Sequence, residues 1–405
     1  MKKSHIDWCP VIPDHWEEKR IKDIAFLQSG NSITAMDFVE DGKYPVYGGN
    51  GLRGYTNTYT NEGDYVLIGR QGALCGNINY AHGKFYASEH AVVVYPKKEE
   101  ITLWLGETLR TANLNRLSMT AAQPGLAVST LNLQFIPFPP KDERIRIAKY
   151  LDKKLSEIDH QVSLLTSKRD AYLRLKKSII NHAVTHGLNP NVKMKDSGIE
   201  WIGEVPEHWE MCRFKDALRR WTTGITPDSK NYKYFESDIC KGYTWVTISD
   251  FLEKYISQSN LNLSDESIKL FMPPLSLKGS LMFSFKLSVG KIAFADKDLY
   301  TNEAIVSIPP NNGQCLEYYY YMLPNVLHEN ATENIYGAKM LNQKIIANML
   351  MVVPPLPEQR TIATYLDDKC AKIDTIVSNL DKQISRYGDL KRSLIDEVIT
   401  GKRAV

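Results

Sequence analysis

The sequence has no long hydrophobic run. Nothing in its 405 residues approaches the about 18 to 20 apolar residues that a membrane-spanning helix needs, and the opening MKKSHIDWCP leads into no apolar signal core. The six cysteines are scattered without a CxxC pair, which favours reduced thiols over disulfides or a zinc site. These features predict a cytoplasmic protein without a membrane span.

The sequence also has no large excess of either charge and no recognisable catalytic motif. The net charge of +3 does not by itself indicate a nucleic-acid binder. The chain has no GxxxxGK[ST] phosphate loop, no NPPY-like or DPPY-like run of an adenine methyltransferase and no GxSxG nucleophile turn. His182 and His186 are four residues apart but lack an HExxH pattern, so we interpret them as solvated polar residues. These absences predict a non-catalytic chain that binds no metal or cofactor of its own.

The chain does contain an internal repeat. IDWCPVIPDHWEEKRIKDI, from Ile6, matches IEWIGEVPEHWEMCRFKDA, from Ile199, at a shift of 193 (199 − 6). PPKDERIRIAKYLD, from Pro139, matches PPLPEQRTIATYLD, from Pro354, at a shift of 215 (354 − 139). The chain therefore reads constant, variable, constant, twice over, which indicates a duplicated structural unit.

In each copy, the constant segment that begins with the proline pair continues into a heptad pattern, which predicts a long helix. The predicted seam of the first copy is Leu151, Leu155, Ile158, Val162, Leu165, Arg169, Tyr172, Lys176, Ile179 and Ala183. The predicted seam of the second copy is Leu366, Cys370, Ile373, Val377, Leu380, Ile384, Tyr387, Lys391, Leu394 and Val398. Each helix is expected to span about 33 residues, or roughly 50 Å, after a proline pair, and to stop at Gly187 or Gly401.

The two seams are expected to bury each other in an antiparallel pair about a two-fold axis. The alternative is that each amphipathic helix packs only on its own domain. The predicted domains are residues 1–140, a first helix at 141–187, a linker with the second domain at 188–355, and a second helix at 356–405.

The variable segments, residues 25–136 and 218–351, favour mixed α and β domains. Both contain a strand, a glycine turn, a strand and a Tyr, followed by SEHA in one copy and TNEA in the other. The expected fold class is α+β, with two related mixed α/β domains separated by two long antiparallel coiled-coil helices in a pseudo-two-fold repeat. Strands are predicted at YVLIG (65–69), AVVVYP (91–96), SLMFSF (280–285) and AIVSIP (304–309).

The ordered motifs resemble the specificity subunits of type I restriction-modification systems. The residues that carry the resemblance are IEWIGEVPEHWE, YPVYGGNGLRGY, VLIGRQGALCGNI, ASEHAVV, WVTISD and PPLPEQRTIATYLD, and they extend over nearly the whole chain. The first copy departs from the usual pattern at PPKDERIRIA, where Arg144 and Ile145 replace Gln359 and Arg360 of the second copy.

The resemblance implies that each variable domain recognises half of a bipartite site in double-stranded DNA. It also implies that the helix pair sets the spacing and docks two methylation subunits, with restriction subunits as further partners. S-adenosylmethionine, ATP and magnesium are then expected on those partners, which would flip the target adenine. A protein-binding scaffold without DNA specificity, and an enzyme with an unrecognised active site, remain alternatives.

Candidate DNA-binding residues follow from base-edge chemistry, in which Arg or Lys suits guanine and Asn or Gln suits adenine. In the first domain they are Asn50 and Arg53 in YGGNGLRGY, Arg70 and Gln71 in GRQG, and Lys84, Ser88 and His90 in the passage shared by the two domains. The glycines of the first two segments allow the backbone to approach another molecule closely. In the second domain they are Thr226, Lys230, Lys286, Lys291, Asn302 and Lys339. The alternative for each is a solvated side chain beside a turn glycine. Acidic residues slightly outnumber basic ones in segment 25–136, so we expect affinity to be shared with partner subunits.

Aromatic residues have a structural and a DNA-stacking interpretation. We expect the matched pairs Trp8 with Trp201, and Trp16 with Trp209, to anchor each domain rather than to stack on DNA. We also expect the tyrosines at 318–321 to lie on a partly buried helix face rather than to stack on DNA.

Overall fold

The structure is a computed structural model that describes residues 1–72, 74–98, 101–118, 125–236, 238, 241–333 and 339–405. The chain forms two compact units, the first made of Met1–Ser167 and Leu380–Val405 and the second of Lys168–Asn379. The described cysteines are free thiols, as predicted, and Cys240 lies outside the described residues. Among the described residues, no helix has both the length and the hydrophobicity to cross a bilayer.

The first unit is built largely from short strands. Its strands are β1 (Lys2–Ile6), β2 (Cys9–Ile12), β3 (Glu17–Arg20), β4 (Ala25–Ser29), β5 (Tyr44–Gly48), β6 (Gly51–Thr56), β7 (Asn61–Glu62), β8 (Tyr65–Gly69), β9 (Ile78–Ala81), β10 (Lys84–Ala87), β11 (Ala91–Pro96) and β12 (Phe135–Phe138). Its short helices are α1 (Ile21–Ile24), α2 (Thr102–Thr111) and α3 (Val128–Asn132), with 3-10 turns at Ala35–Asp37 and Leu114–Leu117. The long helix α4 is Lys141–His186.

Two four-stranded sheets form the first variable domain, in the orders β4-β11-β8-β9 and β6-β5-β10-β7. Both faces of β8 are buried. Val66 and Ile68 pack into the core that contains Trp104 of α2, whereas Leu67 packs on the other face with Phe85. This two-sided burial explains why YVLIG and AVVVYP are continuous apolar runs, and both strands have the predicted bounds.

The second unit has the same kinds of elements. Its strands are β13 (Met194–Asp196), β14 (Glu204–Pro206), β15 (Glu210–Arg213), β16 (Thr222–Thr223), β17 (Phe235–Glu236), β18 (Tyr243–Val246), β19 (Tyr255–Ile256), β20 (Asn262–Leu263), β21 (Leu281–Ser284), β22 (Ile292–Ala295), β23 (Tyr300–Thr301), β24 (Ile305–Ile308), β25 (Thr332–Glu333), β26 (Lys339–Met340) and β27 (Leu350–Val353). Its short helices are α5 (Phe214–Ala217), α6 (Asp265–Phe271), α7 (Leu316–Asn330) and α8 (Gln343–Asn348), with 3-10 turns at Tyr232–Tyr234 and Ile248–Asp250. The long helix α9 is Leu356–Ile399, and both α4 and α9 contribute residues to both units.

The sheets of the second domain repeat the plan of the first. The order β16-β24-β21-β22 corresponds to β4-β11-β8-β9, with β19 added at the edge. The parallel pair β18 and β23 corresponds to the parallel pair β5 and β10. The expected relation between the two variable domains is therefore present in the structure.

The match of SEHA to TNEA is one residue out of register. Ser88 donates its N–H to the carbonyl of Tyr47 in the first domain, and Asn302 donates its N–H to Val246 in the second. The structural equivalent of Ser88 is therefore Asn302, and Glu89 corresponds to Glu303. The sequence match aligned Ser88 with Thr301 because serine and threonine are chemically similar. The parallel strand pairs show instead that Ala87 corresponds to Thr301, which fixes the register.

The long helices have 46 and 44 residues, more than the about 33 residues expected from the heptad seam. They begin directly after Pro140 and Pro355, so they include turns that precede the heptad seam. Ile147 and Ile362 in those turns are buried in the cores of their units. Gly187 follows the end of α4 with φ of 75°, and Gly401 lies beyond α9 with φ of 72°, as expected of glycine stops.

In each unit, parts of α4 and α9 run antiparallel. In the first unit Lys391 Nζ lies 2.6 Å from Asp159 Oδ1, and Arg146 Nε donates to the carbonyl of Val405 at 3.1 Å. Earlier residues of α4 therefore lie beside later residues of the C-terminal segment, so the two helices run in opposite directions. In the second unit Lys176 Nζ lies 2.6 Å from Asp374 Oδ1, the equivalent ion pair at the shift of 215.

The predicted seam residues are buried or partly buried. In the first unit they include Leu151, Leu155, Ile158, Leu380, Leu394 and Val398, which are buried, and Val162, Leu165, Ile384 and Tyr387, which are partly buried. In the second unit they include Ala183, Leu366, Cys370 and Ile373, which are buried, and Tyr172 and Val377, which are partly buried. The helices also contribute to the domain cores, because Leu151 shares a cluster with Trp104 and Leu366 shares one with Phe283.

The matched tryptophans anchor the start of each repeat, as predicted. Trp16 and Trp209 are almost completely buried. Their carbonyl oxygens accept equivalent hydrogen bonds from Lys2 Nζ at 2.6 Å and from Lys195 Nζ at 2.7 Å. The tyrosines at 318–321 lie on α7, buried or partly buried, which agrees with the helix-face interpretation.

Candidate nucleic-acid interface

Most first-domain candidates lie at one edge of the sheets. Strands β4 and β8 are both antiparallel to β11, and β5 is parallel to β10. The ends of β4, β5 and β8 therefore meet the turn that joins β10 to β11. We call this surface the first loop cluster, which consists of residues 30–33, 48–51, 70–72 and 88–90.

Glycines allow the loops of this cluster to approach closely. A Cβ on Gly69 would overlap the carbonyl oxygen of Gly49, and a Cβ on Gly49 would lie 3.1 Å from the carbonyl oxygen of Gln71. Gln71 Oε1 lies 2.9 Å from His90 Nδ1. The structure thus brings together Gln71 and His90, which are 19 positions apart in the sequence.

Asn50 and Arg70 complete the polar surface. Asn50 is exposed, and its Oδ1 accepts a hydrogen bond from Asn77 Nδ2 at 3.0 Å. The backbone of Arg70 is fixed, because its N–H donates to His90 and its carbonyl accepts from Leu126. Arg70 is partly buried as a residue, and among the described residues none accepts a hydrogen bond from its guanidinium or forms an ion pair with it. Arg70 therefore presents a cation on an ordered backbone, with its donors available for a ligand.

The side chains of three first-domain candidates do not contribute to this polar surface. Lys84 is at the opposite end of β10, where its Nζ is 3.7 Å from Glu62 Oε2, and that carboxylate is the main cause of its raised pKa. Arg53 lies on β6, and its guanidinium is 5.7 Å from the centre of the Phe38 ring. Ser88 is completely buried, so its hydroxyl does not lie on the surface.

An equivalent surface exists in the second domain. The second loop cluster consists of residues 224–226, 247–250, 285–291, 302–304 and 339–341. Phe285 takes the place of Arg70, because its N–H donates to Ala304 and its carbonyl accepts from Leu341. Since Phe285 is buried, the polar side chain presented here is the next residue, Lys286, which is partly buried.

The other second-domain candidates, except Lys230, lie with Lys286 in the second loop cluster. Thr226 is exposed and donates through its hydroxyl to Glu303, and Lys291 Nζ donates to the carbonyl of Ile248 at 3.1 Å. Asn302 Oδ1 accepts from the backbone of Ala304 at 3.1 Å. Lys339 is exposed on β26, two residues before the Leu341 N–H that binds Phe285. Lys230 lies outside the cluster as defined, in a turn where its N–H donates to Asp228 Oδ1.

Two acidic residues of these clusters were missed by the sequence analysis. Glu89 Oε2 accepts the N–H of Ile33 at 3.3 Å, and Glu303 Oε2 accepts the hydroxyl of Thr226. Pairing Tyr86 with Tyr300, instead of SEHA with TNEA, would have aligned the two glutamates in the sequence. They connect the loop after the first strand of each main sheet to the turn before β11 or β24.

The described residues contain no cluster of three or more His, Cys, Asp or Glu that would suit a metal ion. The rings of His182 and His186 stack with their centres 4.9 Å apart. Burial is the main cause of the lowered pKa of His186, with the neighbouring His182 second.

Comparisons with known proteins place both halves of the chain in one family. A family model described as "type I restriction modification DNA specificity domain" matches residues 13–164 and 206–386. The EcoprrI specificity subunit of Escherichia coli is 40% identical over 34% of this chain, and the alignment spans only 35% of that relative. The MjaVIII specificity subunit of Methanocaldococcus jannaschii is 21% identical, over 96% of this chain and 93% of the relative.

A solved structure supports the fold. A chain from a structure of a type I restriction-modification system aligns with a TM-score of 0.71 and 15% identity, covering 97% of this chain and 100% of that chain. At this identity the likeness concerns the fold alone. Because the family model matches most of the sequence in two separate copies, the chain belongs to the type I restriction-modification DNA specificity domain family.

Proposed function

We propose that the chain is the DNA sequence-specificity subunit of a type I restriction-modification enzyme. Each variable domain reads one half of a bipartite site through its loop cluster. The observation that carries the proposal is the repetition of one loop surface, on equivalent strand ends, in both copies of the matched family domain. Two related readers with different side chains suit a site made of two different halves.

The side chains of the loop clusters have the chemistry of base-edge recognition. In the first domain Arg70 suits guanine, while Asn50 and Gln71 suit adenine, and His90 supports Gln71. In the second domain Lys286 and Lys339 supply cations, with Thr226 and Asn302 as smaller polar groups. Arg53, Lys84, Lys230 and Lys291 have the chemistry of phosphate contacts, which position the protein without reading sequence.

Partner subunits supply the remaining affinity and the chemistry. The chain has a net charge of only +3, whereas an autonomous DNA-binding domain has a strongly basic surface. Two methylation subunits dock on α4 and α9, restriction subunits join them, and the complex acts on double-stranded DNA in the cytoplasm. S-adenosylmethionine, ATP and magnesium bind to those subunits, and this chain is non-catalytic. The helices set the spacing between the half-sites.

Adenine methylation mapping tests the proposal. DNA is sequenced for methylated adenine from cells that express the cognate methylation subunit with or without this chain. A split motif that is methylated only when the chain is present is the expected result. A stable complex with the methylation subunit and no chain-dependent motif would favour the alternative, a protein-binding scaffold without DNA specificity.

A further inference from the structure

Glu89 and Glu303 make the same type of connection in the two domains. Glu89 Oε2 accepts the backbone N–H of Ile33, and its Oε1 lies 3.1 Å from His90 Nε2. Glu303 Oε2 accepts the hydroxyl of Thr226. In both domains a carboxylate from the turn before the central strand therefore holds the loop that follows the first strand of the main sheet.

The same loop is fixed at its base by a glycine in each copy. A Cβ on Gly30 would overlap the carbonyl oxygen of Ala87, and a Cβ on Gly224 would overlap that of Thr301. The next residue donates its N–H to that carbonyl oxygen in each domain, from Asn31 at 2.9 Å and from Ile225 at 3.0 Å. The loop base is thus rigid, and the glutamate holds the residues that follow it.

The surrounding side chains differ between the two copies. Arg70 corresponds to Phe285, Gln71 to Lys286 and His90 to Ala304. The glycine and the glutamate are common to both domains, although the residues around them have diverged. A role shared by both domains, independent of the bases that each reads, accounts for this pattern.

Electrostatics argues against direct phosphate contact by these glutamates. A carboxylate is repelled by the phosphate backbone, so its presence at a DNA-facing edge needs a compensating contact. That contact is a protein group in both domains. Charge-assisted hydrogen bonds of this kind are stronger than those between neutral groups, and they suit the ordering of a loop.

We propose that Glu89 and Glu303 are matched positioning residues that hold the loops at 31–33 and 225–227 in the conformation that reads DNA. This inference rests on the proposed function. Each glutamate acts only on the half-site read by its own domain, because its bonds lie within that domain. Loss of the carboxylate releases several loop atoms together, so discrimination falls at more than one base pair.

The test uses the assembled methylation complex with the variants E89A, E89Q, E303A and E303Q. Base preference at every position of both half-sites is measured by methylation of a randomised DNA library. The controls are D64N and D298N, which also remove a carboxylate that has a protein partner. Asp64 Oδ1 lies 2.9 Å from His82 Nδ1, and Asp298 Oδ1 accepts the N–H of Lys278 at 2.7 Å. Both control carboxylates lie at the ends of the sheets opposite the loop clusters.

Each alanine variant is expected to lose about tenfold in discrimination, spread over several positions of one half-site, with the other half unchanged. The glutamine variants are expected to recover part of it, because the single amide oxygen can still accept the bond from the Ile33 N–H or from the Thr226 hydroxyl. The controls keep wild-type preferences. If an alanine variant does not assemble, E89Q or E303Q is measured by hydrogen exchange, and faster exchange confined to the loop amides supports the inference.

Two results would overturn the inference while leaving the proposed function intact. One is wild-type discrimination in both half-sites for E89A and E303A. The other is a new base preference at a single position, which would make the glutamate a direct base reader. Absence of any motif with the wild-type chain would instead refute the proposed function, and this inference with it.

Discussion

Substitution of Arg70 gives the sharpest test of how the first domain reads DNA. Its guanidinium has no hydrogen bond or ion pair to a described residue, so binding DNA breaks no such contact within that part of the chain. A bidentate contact between arginine and guanine contributes about 1 to 3 kcal/mol of discrimination. Arg70→Gln should therefore reduce discrimination at one base pair by about 5-fold to 150-fold.

Arg70→Lys separates charge from geometry. Lysine keeps the positive charge but lacks the planar fork that binds guanine through two parallel hydrogen bonds. The lysine variant should retain affinity for non-cognate DNA while losing most of the discrimination. The matched control is Lys84→Gln, since Lys84 is paired with Glu62 at the opposite end of β10 and should not affect base preference.

The assay is competition binding of the assembled complex at one fixed salt concentration, because phosphate contacts make affinity depend on salt. The competitors carry every single base-pair change in the half-site assigned to the first domain. Unchanged preference at every position in Arg70→Gln would refute the assignment. An equal loss in Lys84→Gln would show that the reading surface lies elsewhere on the domain.

Three further predictions concern stability, reactivity and the loop base. Leu151 is buried and Leu164 is 51% exposed. In urea unfolding, Leu151→Ala should therefore lower the free energy of unfolding by about 2 to 5 kcal/mol, and Leu164→Ala by under about 0.5 kcal/mol. Equal losses would contradict a buried seam. Burial raises the pKa of Cys9 from 9.0 to about 11, so the stability that this thiol contributes should be complete below pH 9 and lost as pH rises towards 11. Rapid labelling of native Cys9 by iodoacetamide at pH 8 would contradict this. Gly30→Ala should displace the loop beside Ala87 and weaken recognition of the first half-site alone, as methylation mapping would show; an unchanged motif would contradict it.

The regular elements were predictable from the sequence because their signals are local. The two-sided burial of β8 produces the continuous run YVLIG, and the seam of α9 produces a heptad pattern. The heptad seam alone underestimates the helix length, because Ile147 and Ile362 pack on domain cores rather than follow the seam. Periodicity detects a partner that lies along the helix, and it does not detect contacts with a separate domain.

The candidate surface was only partly predictable, because it depends on which strand ends are neighbours. The sequence indicated Arg70 and Gln71 through their neighbouring glycines and His90 through the passage shared by the two domains, and the structure brings the three together. It did not indicate that Lys84 lies at the opposite end of β10 or that Ser88 is buried. Strand order and register decide these points, and both are set by contacts that are distant in the sequence.

Exchange of one variable segment tests the central claim most directly. Residues 25–136 are replaced by the corresponding segment of another family member with a different methylation motif, and methylated adenines are mapped in cells with the cognate methylation subunit. Two independent readers predict that one half of the split motif changes to that of the donor, while the other half and the spacing stay the same. A motif that keeps both halves, or one in which both halves change together, would contradict the account.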